Sequence, residues 1–306
     1  MELMIMKFKP TLTQLTLKYL AAFGIAIATS SVFAQAETPA KGVFWEVKSD
    51  KNTAYLFGSI HLAKASFYPL PEAVDAAYKQ ADTLVVEVDT TDTKAAEKAM
   101  PFFTYAAPDK LENHIRKSTF ESLQSMVGPA AAQFQSLKPT IVATALSIGV
   151  FRQQGYDASK GVDLHYVLRA KQDKKNIIEL ESTAFQASVL GGLADEDADA
   201  MLAQTLDGLK SGDTLRETAG MIAAWKSGDA EGLAKILQEA ASKDVGSKKL
   251  MKLLLDDRNQ GMAKKILGLL EEGKKLFIVV GAGHLSGANS IIELLEKQGL
   301  EVKQIK

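Results

Sequence analysis

The sequence predicts an α/β fold: a central mixed sheet formed by the N- and C-terminal parts of the chain, with a large helical insertion between them over about residues 92–272. Three observations predict it. Short apolar runs rich in β-branched and aromatic residues stand near both ends, Tyr55-Leu56-Phe57 and Phe277-Ile278-Val279-Val280, and such runs closed by glycine read as buried parallel strands. The stretch between them is mostly helical in pattern, rich in Ala, Leu and Lys and poor in aromatics. Each outer run also exits through the same unit, Gly58-Ser59-Ile60-His61 and Gly281-Ala282-Gly283-His284, and open α/β sheets place ligands at the carboxyl ends of their strands.

Taken in order, Val43–Lys48 and Thr53–Gly58 flank the turn Asp50-Lys51-Asn52 and predict a hairpin whose second strand delivers His61. Pro69-Leu70-Pro71-Glu72 opens an amphipathic helix to about Gln80, with proline and an acid in its first turn. Thr83-Leu84-Val85-Val86-Glu87-Val88-Asp89 predicts another strand. Within the helical insertion, Asn176-Ile177-Ile178-Glu179-Leu180 predicts a further one. The run 276–280, a helix near 286–297 and Glu301-Val302-Lys303 close a strand–helix–strand unit. There is no solenoid-type repeat and no low-complexity linker.

The first 36 residues read as a secretory signal peptide. Lys7, Lys9 and Lys18 precede the apolar run Leu20–Ala28, and Ala34-Gln35-Ala36 forms an A-x-A cleavage pattern. That run is well short of the roughly 20 residues a spanning helix needs, so no stable membrane span is expected after cleavage. The 306 residues less 36 leave 270, read as a single domain over 37–306. Three lysines and Glu2 leave with the signal, so 33 basic and 36 acidic residues remain, a formal charge of −3. That balance gives no reason to expect nucleic acid. With no cysteine anywhere, any metal must be held by nitrogen and oxygen. These features together predict a periplasmic protein.

His61 and His284 are the leading candidates for chemistry, because paired imidazoles at strand ends suit a metal or a proton-transfer site. Glu87 is the third. It interrupts an otherwise apolar run, and a carboxylate there is costly unless it pairs or binds a cation. Period-two alternation puts Asp89 on the same face as Glu87. Two histidines and a glutamate form a ligand set of hydrolytic metal sites that leave a position open for water, while the His-Glu-x-x-His helix of zincins is absent.

A second group lies at Gly161-Val162-Asp163-Leu164-His165-Tyr166 and Leu180-Glu181-Ser182. Asp163 reads first as a helix cap. His165 and Arg169, four residues apart, could reach one substrate. Glu181 is a general base, a fourth metal ligand or an acid near the start of the next helix. Arg258-Asn259 lies on a helix ahead of the second histidine strand, where an arginine can bind a substrate carboxylate or stabilise an oxyanion, or pair with the flanking Asp256 and Asp257. His114 shows no partner pattern and reads as a helix-surface residue.

These motifs in this order, Phe57-Gly58-Ser59-Ile60-His61, Val86-Glu87-Val88-Asp89, Gly161-Val162-Asp163, Leu180-Glu181, Asp257-Arg258-Asn259 and Val280-Gly281-Ala282-Gly283-His284-Leu285, resemble the TraB/GumN family over nearly all of the chain beyond residue 36. The resemblance implies a fold shared with erythromycin-esterase-like hydrolases and ChaN-like haem-binding proteins, and a relationship to the TIKI metalloproteases. It implies a divalent metal at His61, Glu87 and His284, with manganese or cobalt more plausible than zinc. Catalytic roles are expected for Glu87, Glu181 and Arg258, and substrate contacts for His165 and Asn259. The function this predicts is metal-dependent hydrolysis of a peptide. The alternatives are a non-catalytic protein that sequesters a peptide or a tetrapyrrole such as haem, and a module whose histidines only pack a sheet. Ala184-Phe185-Gln186 departs from the more acidic run expected after Glu181.

Overall fold

The computed structural model describes residues 39–306, so the expected signal peptide lies outside the described residues. The chain builds β1 (Phe44–Lys48), β2 (Thr53–Ser59), α1 (Glu72–Gln80), β3 (Thr83–Val86), α2 (Thr93–Phe103), α3 (Lys117–Val127), α4 (Pro139–Gln153), α5 (Val162–Gln172), β4 (Asn176–Glu179) and α6 (Thr183–Gly191). It continues with α7 (Asp195–Ser211), α8 (Asp213–Ser227), α9 (Ala230–Ala241), α10 (Val245–Met251), a π turn (Lys252–Asp256), α11 (Asp257–Glu271), β5 (Leu276–Gly281), α12 (Ile291–Lys297) and β6 (Glu301–Ile305).

The strands form one sheet in the order β4-β3-β5-β2-β1-β6. The first four are parallel neighbours, and β1 is antiparallel to both β2 and β6. The mixed α/β sheet is therefore as expected, and β4 adds a strand from within the helical stretch. The register matters for the site: Gly58 pairs with Val280 and Ser59 with Gly281. The two Gly-x-x-His units thus leave adjacent parallel strands at the same level, although more than 200 residues separate them in the chain.

Alternation along the strands builds two cores. Phe57, Leu84, Val86, Phe277 and Val279 face one side, where Tyr78 of α1, Tyr166 of α5 and Trp225 of α8 cover them. Tyr166 and Phe277 have ring centroids 4.9 Å apart, and Phe57 lies 6.4 Å from Trp225. Leu56, Val85, Ile278 and Val280 face the other side, against Met262, Ile266 and Leu270 of α11 and Ile291 and Leu295 of α12. A third core, with Leu123, Val142, Leu202 and Leu206, joins α3, α4 and α7. The helical stretch therefore divides: α5, α8 and α11 cover the sheet, and α3, α4 and α7 pack among themselves.

Two local differences bear on the site. β3 ends at Val86, not Asp89, because the Asp89 carboxylate accepts from the Thr91 N–H and hydroxyl at 2.9 and 2.6 Å and ion-pairs with Lys171 at 2.7 Å. Asp89 thus starts the next loop and does not join Glu87. The helix expected near 286–297 begins at Ile291, where the Ser290 side chain accepts from the Glu293 N–H. Residues 282–285 form a separate 3₁₀ turn that carries His284. No described helix is long and apolar enough to cross a membrane.

Candidate functional site

Glu87 is the first residue beyond β3, and the next-door strand end, Gly281 of β5, donates its backbone N–H to Glu87 Oε1 at 2.7 Å. A β-carbon on Gly281 would stand 3.2 Å from Glu87 Oε1 and 3.5 Å from His284 Cδ2, so a side chain there would crowd the carboxylate. The other oxygen, Oε2, accepts from Arg258 Nη2 at 2.6 Å and from Gln186 Nε2 at 2.9 Å. Glu181, two residues past β4, shares both donors: Gln186 Nε2 at 2.9 Å and Arg258 through Nη2 at 2.6 Å and Nε at 3.1 Å. Arg258 Nη1 donates to Leu254 O in the π turn at 3.0 Å. All three charged side chains are at least about nine-tenths buried. Charge-assisted contacts of this forked kind offset part of the cost of burying them.

α11 explains where Arg258 and Asn259 point. Asn259, Met262, Ala263, Ile266 and Leu270 form its buried stripe, so Asn259 continues the core stripe into the site. Its Oδ1 accepts from His284 Nδ1 at 2.6 Å while its Nδ2 donates to Asn289 O at 2.9 Å. The second bond fixes the amide, and the first therefore fixes the imidazole: the proton sits on Nδ1 and the lone pair on Nε2. That Nε2 faces Glu87 Oε1 at 3.7 Å, too far for a hydrogen bond.

Burial alone would raise the Glu87 carboxyl, but His284, His61, Arg258 and the Gly281 N–H together hold it down to about 2. Burial lowers the His284 imidazole to about 4, with Arg258 acting the same way against the opposing pull of Glu87. At neutral pH His284 is thus uncharged, and Arg258 and Gly281 carry the Glu87 anion.

His61 stands at the mouth, with its side chain 69% exposed and its Nδ1 3.2 Å from Asp163 Oδ2. The Asp163 carboxylate raises this imidazole above its ordinary value. The cap expected of Asp163 is absent: Gly161 holds the cap position of α5, no side chain caps the helix, and the Asp163 carboxylate turns to His61 instead. Gly161 permits that approach, because a β-carbon there would lie 2.6 Å from His61 O. Val162 N donates to Ile60 O at 2.9 Å and locks the two segments together.

The structure therefore gathers Glu87, Glu181, Arg258, Asn259 and His284, with His61 on the rim. His165 lies apart, its ring 4.8 Å from that of Tyr68, and Arg169 pairs with Asp75 at 2.6 Å. The aspartates flanking Arg258 are engaged elsewhere, Asp257 with Lys252 and Asp256 with Asn289. Gln186 is the site residue that sequence reasoning missed. Its signal is positional: Ser182 caps α6 by accepting from Phe185 N, and that first turn brings Gln186 back over Glu181.

As the side chains stand, His61, Glu87 and His284 do not fit a divalent ion. His61 is turned to Asp163, Glu87 Oε2 is held by Arg258 and Gln186, and among the described residues no group of three or more His, Asp or Glu side chains is placed to hold a metal. Other atoms near these strand ends lack partners. Four buried side-chain polar atoms among the described residues make no hydrogen bond, and three of them, Ser59 Oγ, Asp163 Oδ1 and Thr183 Oγ1, belong to segments that flank the carboxyl ends of β2 and β4.

The model of the TraB/PrgY/gumN family matches residues 43–304. The uncharacterized protein YbaP of Shigella flexneri is 28% identical over 247 residues, covering 79% of this chain and 87% of its own. YbaP of Escherichia coli (strain K12) is 28% identical over 246 residues with the same coverage. Metalloprotease TIKI1 of Xenopus tropicalis is 21% identical over 313 residues, covering 84% of this chain and 60% of its own. No solved structure matches the chain significantly.

Proposed function

The chain belongs to the TraB/PrgY/gumN family, and on that premise we propose that it is an exported hydrolase, and within that class a peptidase, acting at the carboxyl ends of β2, β3 and β5. The observation that carries this reading is the pairing of Ser59 with Gly281 in adjacent parallel strands, which sets both Gly-x-x-His turns beside Glu87. The similarity to Metalloprotease TIKI1 supports the narrower class.

Each residue has a role that its contacts favour. Asn259 holds His284 with Nε2 free, so this imidazole accepts the proton of an attacking water. Glu87, tied to the Gly281 N–H and to Arg258, orients that water and balances the charge that develops on His284. Asp163 orients His61, whose exposed ring is placed to give a proton to the leaving amine. Arg258 and Gln186 bond to both Glu87 and Glu181 and keep the two carboxylates side by side.

The test is digestion of a diverse peptide library by the purified protein, read by mass spectrometry, with chelator or with added manganese or cobalt. Defined cleavage sites are expected in at least one condition, and an intact library in all of them would contradict the reading. Export belongs to the same proposal. Sequencing the N-terminus of the protein from a periplasmic fraction should find a start after Ala36.

A further inference from the structure

The two edges of the sheet are built differently. β6 carries Glu301 and Lys303, both exposed, charges of the kind that keep an edge from pairing with another chain. The opposite edge is β4, Asn176-Ile177-Ile178-Glu179. It contains no proline and no lysine, and its one charge is turned back to the loop after β3, where the Glu179 carboxylate accepts from Asp89 N at 2.6 Å.

Asn176 N donates to Asp82 O at 3.3 Å and Leu180 N to Val86 O at 2.8 Å, so residues 176, 178 and 180 bond to β3. Alternation along a parallel ladder then turns the N–H and C=O of Ile177 and Glu179 outward, and among the described residues nothing bonds to them. The side chains are equally incomplete: Ile177 packs on one core and Ile178 on the other, and both are only partly buried. The strand also ends at the site. Val86 pairs with Glu179, so Glu87 follows at the level of Leu180, and Glu181 N donates to Glu87 O at 2.9 Å.

We infer that the free edge of β4 receives an extended polypeptide as an added strand, and that this strand leads to Glu181 and Glu87. Outward N–H and C=O groups at alternate residues recognise another backbone whatever its sequence, and the two half-covered isoleucines favour apolar side chains on it. A second copy of this chain is the weaker occupant, because four residues against four bury far less than the roughly 1,200 Å² of a stable interface. The inference rests on the peptidase reading and narrows its substrate to unfolded or extended chain.

The test is amide hydrogen exchange, read residue by residue by NMR, with and without a synthetic peptide of alternating valine and threonine between terminal lysines. Wild type is measured with His284→Asn in parallel, so that turnover cannot consume the peptide. Without peptide, the Ile177 and Glu179 amides should exchange fast and the Ile178 amide slowly. Peptide at about 1 mM should slow Ile177 and Glu179 at least about tenfold, and the same peptide N-methylated throughout should not. Ile177→Pro removes one outward N–H, which an edge strand tolerates, and should bind the peptide at least about tenfold more weakly than Ile177→Ala, which loses the side chain alone. Unchanged exchange at both amides overturns the inference. So does protection that appears without peptide as the protein concentration rises, which would assign the edge to a second copy. A protected edge in a protein that cleaves no peptide contradicts the proposed function alone, and cleavage without protection contradicts the added strand alone.

Discussion

The backbone N–H of Gly281 donates to Glu87 Oε1 at 2.7 Å, tying the end of β5 to the first residue beyond β3. One hydrogen bond thus joins the second Gly-x-x-His unit to the carboxylate at the centre of the site. A methyl group at position 281 would press on Glu87 Oε1 at 3.2 Å and only touch His284. Gly281→Ala should therefore destabilise the protein by about 1–2 kcal/mol, as mild overpacking does, and lower peptide hydrolysis more than its stability loss explains. Denaturant melts and initial rates on the same sample check this. Full activity in a destabilised variant would place the carboxylate outside the chemistry.

Acid should unfold the protein from two groups in sequence. An unfolded chain protonates histidine near 6.5 and glutamate near 4.5, whereas folding holds His284 at about 4 and Glu87 at about 2. The unfolded state then binds more protons as pH falls, so stability drops first between about 6.5 and 4 through His284 and then between about 4.5 and 2 through Glu87. Melting temperature against pH should lose the first of these slopes in His284→Asn. An unchanged slope would mean that the imidazole is not buried uncharged.

His114 should act in the opposite direction at higher pH. Burial tends to lower this imidazole, but hydrogen bonds to Asp195 and Asp109, each at 2.8 Å, raise it above its ordinary value. Folding then holds a proton that the unfolded chain releases. Its stabilisation is complete below about 6.5 and is lost as pH rises through the folded value. Wild type should lose melting temperature relative to His114→Gln over that rise; parallel curves would rule the clamp out.

Trp225 ties the helical layer to the strand that delivers His61. Its indole Nε1 donates to Gly58 O at 2.7 Å in a fully buried setting. Trp225→Phe removes the donor and leaves a buried carbonyl unpaired, a cost of about 1–3 kcal/mol before any cavity is counted. Chemical denaturation measures it directly. A change below about 0.5 kcal/mol would mean that water or a neighbour satisfies Gly58.

The strands, their apolar runs and the two histidine units are legible in the sequence because they are local: alternation and glycine at a strand exit depend on a few neighbouring residues. Glu87 is legible for a related reason, as a charge that breaks an apolar run. What is hidden is pairing across the chain. Nothing near His61 announces Asp163, and nothing near His114 announces Asp195, 81 residues away. Gln186 is the sharpest case, since it stands in the stretch that departs from the expected acidic pattern, and its importance rests on one amide reaching Glu87 and Glu181 at once. Asn259 lies between these cases. A polar residue at a core position of an amphipathic helix marks a buried partner, but only the fold reveals that the partner is His284.

The proposed joint role of Glu87 and His284 in hydrolysis is checked by the initial rates of wild type, Glu87→Gln and His284→Asn on one peptide that the wild type cleaves, with melting curves confirming that each variant is folded. Either substitution should lower the rate by about 10²- to 10⁴-fold, the range of a lost general acid or base. A folded Glu87→Gln or His284→Asn that cleaves at the wild-type rate would contradict it.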